Sequence, residues 1–353
     1  MQGRMGKRLV PLFTVFSLFA IIGMIGYLRI IPQRQEAYRL ETSDLNTAAA
    51  KTNARTEMTI EMSGRLGNNM FQYAALLGIA KARGNIPVVL NKGNELRVIF
   101  NLSAKLLSDN EYKHRIGYSK DNYVENCCLY NPNLMKNIPI KGKFVLKGFF
   151  QNWKYFHPHV SEQLRREFTF RKVIVDAANS FISSSSAGFK REVLYFNKQA
   201  NYVKSLRKRK TRSDKVTYVG VHVRRGDITS HYYIEAGMRQ PTMDYFKKAM
   251  AIMESLYENV FYLVCSDDLD WCRNKFGHMK NVAFCPGKDR VVDMAILSHS
   301  NHSILTVGSF GFWSAFLANG TTTYFGSARA PGSSVDVVFS YAQYFMPKWI
   351  KIP

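Results

Sequence analysis

Acidic residues are scarce in this chain. There are 26 Asp plus Glu against 49 Lys plus Arg, a formal charge of +23. That imbalance raises the local concentration of anionic partners. Cysteine is scarce as well. The five, Cys127, Cys128, Cys265, Cys272 and Cys285, are odd in number, so at least one is free or paired between chains. None sits in a Cys/His spacing that suits zinc. Cys272 and Cys285 flank a short segment and are placed to close a loop disulfide, whereas Cys265 reads as a small core residue in a buried strand. Long apolar runs are limited to Leu9 to Leu28, twenty residues without a charge. That length matches the ~20 apolar residues that span the hydrocarbon of a bilayer. It is too long, and lacks the small-residue site, for a cleaved signal peptide.

Arg4, Lys7 and Arg8 precede the run, and Arg29, Arg34 and Arg39 follow it, so Lys and Arg alone hardly set its orientation. The free amino terminus favours a cytoplasmic start. The expected layout is a cytoplasmic tail (1–8), a signal-anchor (9–31), a stem (32–57) and a luminal body divided into lobes 58–210 and 211–353. The stem has too little periodic apolar content to bury surface. A membrane-anchored, basic protein points to a nucleotide diphosphate, an acidic glycan or an anionic leaflet, and away from nucleic acid. Lys204 to Lys215, with seven basic residues in twelve, reads as a solvated linker between the lobes. Sequons stand at Asn101, Asn301 and Asn319, about as many as chance gives, and are compatible with a secretory compartment.

The body alternates strands with helices. Met58 to Ser63 reads as a strand, Gly64 to Gly67 as a turn, Asn68 to Arg83 as a helix stopped by Gly84, and Ile86 to Leu90 as a strand. This opening is Rossmann-like, but its glycines do not spell GxGxxG, so no dinucleotide is implied. The second half repeats the scheme. Val216 to Val223 is a strand that delivers Arg224, Arg225, Gly226 and Asp227. Paired guanidinium groups at a strand end suit phosphate, since each offers a planar, permanently charged fork; the plainer reading is a surface pair closing a turn. Met243 to Leu256 is a helix capped by Thr242, Val260 to Cys265 a strand, and Val291 to Leu297 a helix. Ser303 to Val307 is a strand, after which Gly308 to Gly311 opens a helix whose amino end suits an anion, with Ser309 as its expected cap.

Five segments in order, GRLGNNMFQYA (Gly64 to Ala74), LKGFFQNWKYF (Leu146 to Phe156), VGVHVRRGDI (Val219 to Ile228), CSDDLDWC (Cys265 to Cys272) and LTVGSFGFWSAFLANG (Leu305 to Gly320), resemble the α-1,2-fucosyltransferases of glycosyltransferase family 11. The resemblance implies a GT-B-like α/β fold of two Rossmann-like lobes, with no metal and no cofactor. It implies transfer of L-fucose from GDP-fucose to the 2-hydroxyl of a terminal galactose. Donor contacts would be His222, Arg224, Arg225, Gly308, Ser309 and Phe310, with Arg224 on the β-phosphate. Gly64, Arg65, Gly67 and Asn68 would border the cleft, and Phe149, Phe150, Trp153 and Tyr155 would meet the acceptor unless they are core. Asp227 is the favoured base among Asp227, His231, Glu235 and Asp244, with a structural carboxylate as its alternative. Asp268 and Asp270 mimic the metal-binding DxD of another glycosyltransferase class. Arg225-Gly226-Asp227 spells an adhesion tripeptide, and an inactive glycan-binding relative is the remaining rival.

Overall fold

The computed structural model describes residues 56–91, 94–115, 121–124, 127–136, 144–206 and 213–353. The expected tail, the Leu9 to Leu28 run and nearly all of the stem lie outside the described residues, as do residues 207–212 of the basic run. Among the described residues no helix is long and apolar enough to cross a membrane.

The first half forms a parallel sheet from β1 (Glu57–Ile60), β2 (Ile86–Leu90), β3 (Lys105–Leu107), β4 (Asp121–Val124) and β5 (Phe144–Lys147), in the order β3-β2-β1-β5-β4. The second forms another from β6 (Thr217–Val223), β7 (Val260–Ser266), β8 (Val282–Phe284), β9 (His302–Leu305), β10 (Thr322–Phe325) and β11 (Ile350–Ile352), in the order β11-β10-β9-β6-β7-β8. Every strand pair in both sheets is parallel. Parallel strands are covered on both faces, which is why β6 and β7 read as near-continuous β-forming runs rather than alternating ones. Two parallel α/β sheets in one chain fit a GT-B-like fold.

Among the described residues the helices of eight or more residues are α1 (Leu66–Arg83), α2 (Lys172–Ser185), α3 (Ala187–Leu206), α4 (Met243–Leu256), α5 (Leu269–Phe276), α6 (Arg290–Ser298) and α7 (Ser309–Ala318). Gly84 ends α1 in the left-handed region at φ 71°, its N–H reaching the last carbonyls, and the Thr242 hydroxyl accepts from Tyr245 N to open α4. Both α1 and α7 are apolar almost all round because each is buried on most sides. They pack on each other through aromatic rings. Phe71 of α1 lies 4.6 Å from Phe312 and 5.0 Å from Trp313 of α7.

The division at 210/211 separates the two sheets in sequence but not in packing. Helix α2 precedes it yet packs on α6. The C-terminal segment returns to the first half, where Ala342 O accepts from Trp153 Nε1 and Gln343 Oε1 accepts from Tyr130 N and Asn152 Nδ2.

Cysteine pairing departs from the expected Cys272–Cys285 loop. Cys285, just beyond β8, bonds to Cys265 of the adjacent strand β7, and Cys127 bonds to Cys128. Strand alternation explains it. Cys265 and Cys285 face one side of the sheet, while Cys272, on α5, packs on the other and stays a buried free thiol. Burial pushes the Cys272 thiol up to about 11.

Candidate functional site

In the second sheet the strand order reverses between β6 and β9, whereas in the first β5 joins β1 on the side away from β2. Ligands of open parallel sheets bind outside the carboxyl ends at such points. The motifs singled out from sequence fall at these exits.

Beyond β6 and β9 the ladder continues through the side chain of Thr306. Thr306 N donates to His222 O, and Arg224 N donates to Thr306 Oγ1 at 3.0 Å. This fixes the backbone that presents Arg224. Gly308 has φ +96°, and a Cβ there would stand 2.6 Å from an Arg224 terminal nitrogen. Glycine therefore serves both the turn and the close approach of the guanidinium to the start of α7. Ser309 is not the cap: that position is Gly308, and Ser309 is the first helical residue. Its hydroxyl donates to Asn68 Oδ1 at 2.8 Å instead.

The arginine pair divides its work. Arg224 Nε and a terminal nitrogen meet both Asp227 oxygens, at 3.1 and 2.8 Å. Burial works against the Arg224 charge, but the hydrogen bonds and charge of Asp227, with help from Tyr344 and Asp267, outweigh it and raise its pKa. The Arg224 hydrogen bonds in turn hold the Asp227 carboxyl below the usual carboxylate range. Asp227 at rest is thus the counter-ion of Arg224. Arg225 turns toward β7: its N–H donates to Asp267, Nε meets Asp268 at 3.0 Å, and the guanidinium lies 4.3 Å over Trp271. The other Asp268 oxygen caps α5 through Trp271 N. Asp270 is fully exposed and pairs with Arg273. The adhesion tripeptide is therefore tied into the sheet end by both flanking charges.

His222 is buried and stacks on Phe310 at 5.3 Å. Burial lowers its pKa to about 4, so the ring is neutral at physiological pH. A Cβ on Gly311 would meet its Nδ1 at 2.5 Å, so this glycine makes room for the ring. Of the other base candidates, His231 pairs with Glu235 and Asp244 with Lys248, all on exposed side chains.

The exits of the first sheet carry amides. Asn68 Oδ1 accepts from both Ser309 and Gln151 Nε2, the latter at 2.9 Å. Gln72, one turn further along α1, donates to Glu61 O, Ser63 Oγ and Gly148 O, tying the loop after β1 to the loop after β5. A Cβ on Gly67 would stand 2.7 Å from the backbone of Ser309 and Phe310, so this glycine lets α1 touch the start of α7. Gly64 turns at φ +82° against Asn68, and the Arg65 charge is felt by Asp227. Gln72 and Gln151 were not anticipated. The visible clue was Gln72 itself, a polar residue in the most buried stretch of an apolar helix.

Tyr155 is fully buried, packed on Phe150 and Tyr130, and Trp153 is nearly so, against His157; both are core, which corrects their acceptor role. Phe149 is the surface residue of that run. Asn101, Asn301 and Asn319 are all exposed, although Asn301 Oδ1 accepts from Tyr218 N. A cluster of Cys265, Cys285 and Asp293 has metal-ligand proximity, but the two sulfurs are bonded to each other and offer no thiolates.

Galactoside 2-alpha-L-fucosyltransferase SEC1 of Bos taurus is 29% identical over 310 residues, 83% of this chain and 73% of that protein. Galactoside alpha-(1,2)-fucosyltransferase 2 of Rattus norvegicus is 29% identical over 307 residues, covering 85% and 77%. Among solved structures, NodZ alpha-1,6-fucosyltransferase soaked with GDP-fucose superposes with a TM-score of 0.47 at 12% identity, over 75% of this chain and 93% of that one. The sequence model of glycosyl transferase family 11 matches residues 29–353, and the chain belongs to that family.

Proposed function

We propose that this protein is a galactoside α-1,2-fucosyltransferase. It moves L-fucose from GDP-fucose to the 2-hydroxyl of a terminal galactose with inversion at the anomeric carbon. The observation that carries the reading is the meeting of Arg224 with the amino end of α7 at the β6/β9 reversal, within a chain of family 11. The reaction places growing negative charge on a departing diphosphate. A fixed guanidinium and a row of helix N–H groups meet that charge without reorganising.

Asp227 holds both prongs of the Arg224 fork at rest. Diphosphate oxygens take the same bidentate place when the donor binds. Asp227 then loses the contact that depresses its pKa and becomes a better hydrogen-bond acceptor beside the reacting centre. Arg225 backs the loop through Asp267 and Asp268, and His222 and Phe310 wall it. Gly64, Arg65, Gly67 and Asn68 face the cleft from the first lobe. No metal is required, since the cations that would replace it are already built in. The protein is a single-pass type II Golgi membrane protein, with its body luminal and Leu9 to Leu28 as anchor.

The test is direct. Full-length chain from a secretory host is incubated with GDP-fucose and a panel of β-galactosides in EDTA, and product linkage is determined. Fucose on the galactose 2-hydroxyl is expected. Activity that appears only with added Mn²⁺ would replace this reading with the metal-dependent one through Asp268 and Asp270.

A further inference from the structure

Three adjacent strands of the second sheet, β6, β9 and β10, end at the same edge. The first delivers Arg224 and the second the start of α7. The third delivers Arg329, four residues beyond Phe325. Its backbone is anchored beside the loop that follows Asp227. Met238 and Arg329 form an antiparallel bridge, Arg239 N donates to Ala328 O, and Ala330 N donates to Gly237 O.

Arg329 differs from the other two arginines in its partners. Arg224 has Asp227 and Arg225 has Asp268. Arg329 has no carboxylate within the 4.0 Å of an ion pair among the described residues. Its guanidinium instead lies 3.3 Å from the Phe339 ring centre and 5.8 Å from that of Tyr341. Its buried Nε has no hydrogen-bond partner. The Tyr344 hydroxyl beside it is also buried without a partner, and it feels the charge of both Arg329 and Arg224. Burial works against the Arg329 charge; Tyr341, Tyr344 and the Asp336 charge offset part of that cost, but among the described residues no carboxylate pairs with the guanidinium directly. A ligand anion would supply the missing charge.

We propose that Arg329 and the Tyr344 hydroxyl form a third contact to the diphosphate of the nucleotide-sugar donor, next to Arg224 and the start of α7. The proposal rests on the GDP-fucose reading above. Arg329 supplies charge from the β10 side, and Tyr344 donates a hydrogen bond between the two guanidinium groups.

The experiment is calorimetric titration of full-length protein in detergent with GDP, inorganic pyrophosphate and guanosine. Wild type is compared with Arg329→Gln, Arg329→Lys and Tyr344→Phe, and melting temperature is followed for each. Arg329→Gln is expected to weaken GDP and pyrophosphate about tenfold or more and to leave guanosine unchanged. Its GDP affinity should also depend less steeply on salt, and Arg329→Lys should recover part of the loss. Tyr344→Phe keeps its packing on Phe71 and Phe312 and should lose several-fold in GDP affinity at an unchanged melting temperature. If Arg329→Gln fails to fold, Arg329→Lys and Tyr344→Phe decide. Wild-type GDP affinity in all folded variants overturns the proposal and leaves the enzyme reading standing. Equal weakening of guanosine and GDP also overturns it, since that marks a purely structural role. Absence of GDP binding by the wild type removes the enzyme reading and this contact with it.

Discussion

The two sheets are both built of parallel strands but end in different chemistry. At the carboxyl ends of the second sheet the strands deliver charge: Arg224 with Asp227, and Arg225 with Asp267 and Asp268. At the strand ends of the first they deliver mainly amides and glycines, Asn68, Gln72 and Gln151 around Gly64 and Gly67, with Arg65 and the Glu61–Lys147 pair as exceptions. Topology sets where a ligand sits, and the residues at the strand exits set what it is. A diphosphate calls for the first kind of exit, and a neutral sugar or a facing lobe for the second. At the seam where the two exits meet, one hydroxyl of α7 rests on one amide of α1, beside the aromatic packing of Phe71 on Phe312 and Trp313.

The largest effect belongs to the charged side. Arg224→Ala should lower kcat/KM by ~10²-fold or more with folding intact, because it removes a fixed cation from the leaving group. Steady-state kinetics with a melting curve checks this. A folded Arg224→Ala enzyme with near-normal turnover would break the contrast between the two exits.

Gly67→Ala tests the seam itself. The added Cβ would meet backbone of Ser309 and Phe310 at 2.7 Å, and backbone at a helix start has little room to yield. Overpacking of this kind costs ~1–3 kcal/mol. Denaturant unfolding should show that loss, together with reduced activity. Gly188→Ala is the matched control. It lies in α3 with nothing within 4 Å of the new Cβ, so it should be neutral or slightly stabilising.

His222 lets the charged exit be probed by pH. Its folded pKa is about 4, depressed by burial from the ordinary 6.5. As pH falls from 6.5 toward 4 the unfolded chain takes up a proton that the native ring refuses, so stability falls. At pH 5 the loss from this group reaches about 2 kcal/mol. His157, also lowered to about 4, acts in the same direction. Urea unfolding at pH 7 and pH 5 should show a smaller drop for His222→Asn than for wild type. An equal drop in both would mean that the native ring accepts the proton.

Much of this arrangement was legible before any coordinates. The Arg224–Arg225 pair, the glycines after β1 and β9, and the helix limits at Thr242 and Gly84 are local signals, fixed by backbone conformation or by strand ends. What was not legible is pairwise. Sequence could not show that Asp227 turns to Arg224 and Asp268 to Arg225, because that depends on which strand lies alongside. The cysteine pairing failed for the same reason: proximity along the chain favoured Cys272, while the face of the sheet selected Cys265. Trp153 and Tyr155 looked like sugar platforms because aromatic residues serve cores and ligands alike, and only burial separates the two uses.

On the amide side, Asn68→Ala removes one acceptor that serves Ser309 and Gln151 together. Each net hydrogen bond is worth ~0.5–1.5 kcal/mol, so about tenfold in kcat/KM is expected, well short of Arg224→Ala. An equal or larger loss at Asn68 would mean that alignment of the lobes, rather than charge, limits the reaction.

The smallest effect is expected from the aspartate pair after β7, and it separates charge supplied by arginine from charge supplied by a metal. Asp268 spends one oxygen on Arg225 and the other on Trp271 N, whereas the Asp270 side chain is wholly exposed and meets only Arg273. A metal-binding DxD needs both carboxylates turned to one ion. Here one is committed to holding an arginine and the other to a surface pair worth little. Asp270→Ala should therefore change kcat/KM by less than about twofold. Asp268→Asn should cost several-fold through Arg225, with no change in response to EDTA or Mn²⁺. Loss of activity in Asp270→Ala as severe as in Arg224→Ala would reverse the assignment, making the carboxylates the machinery and the arginines their support.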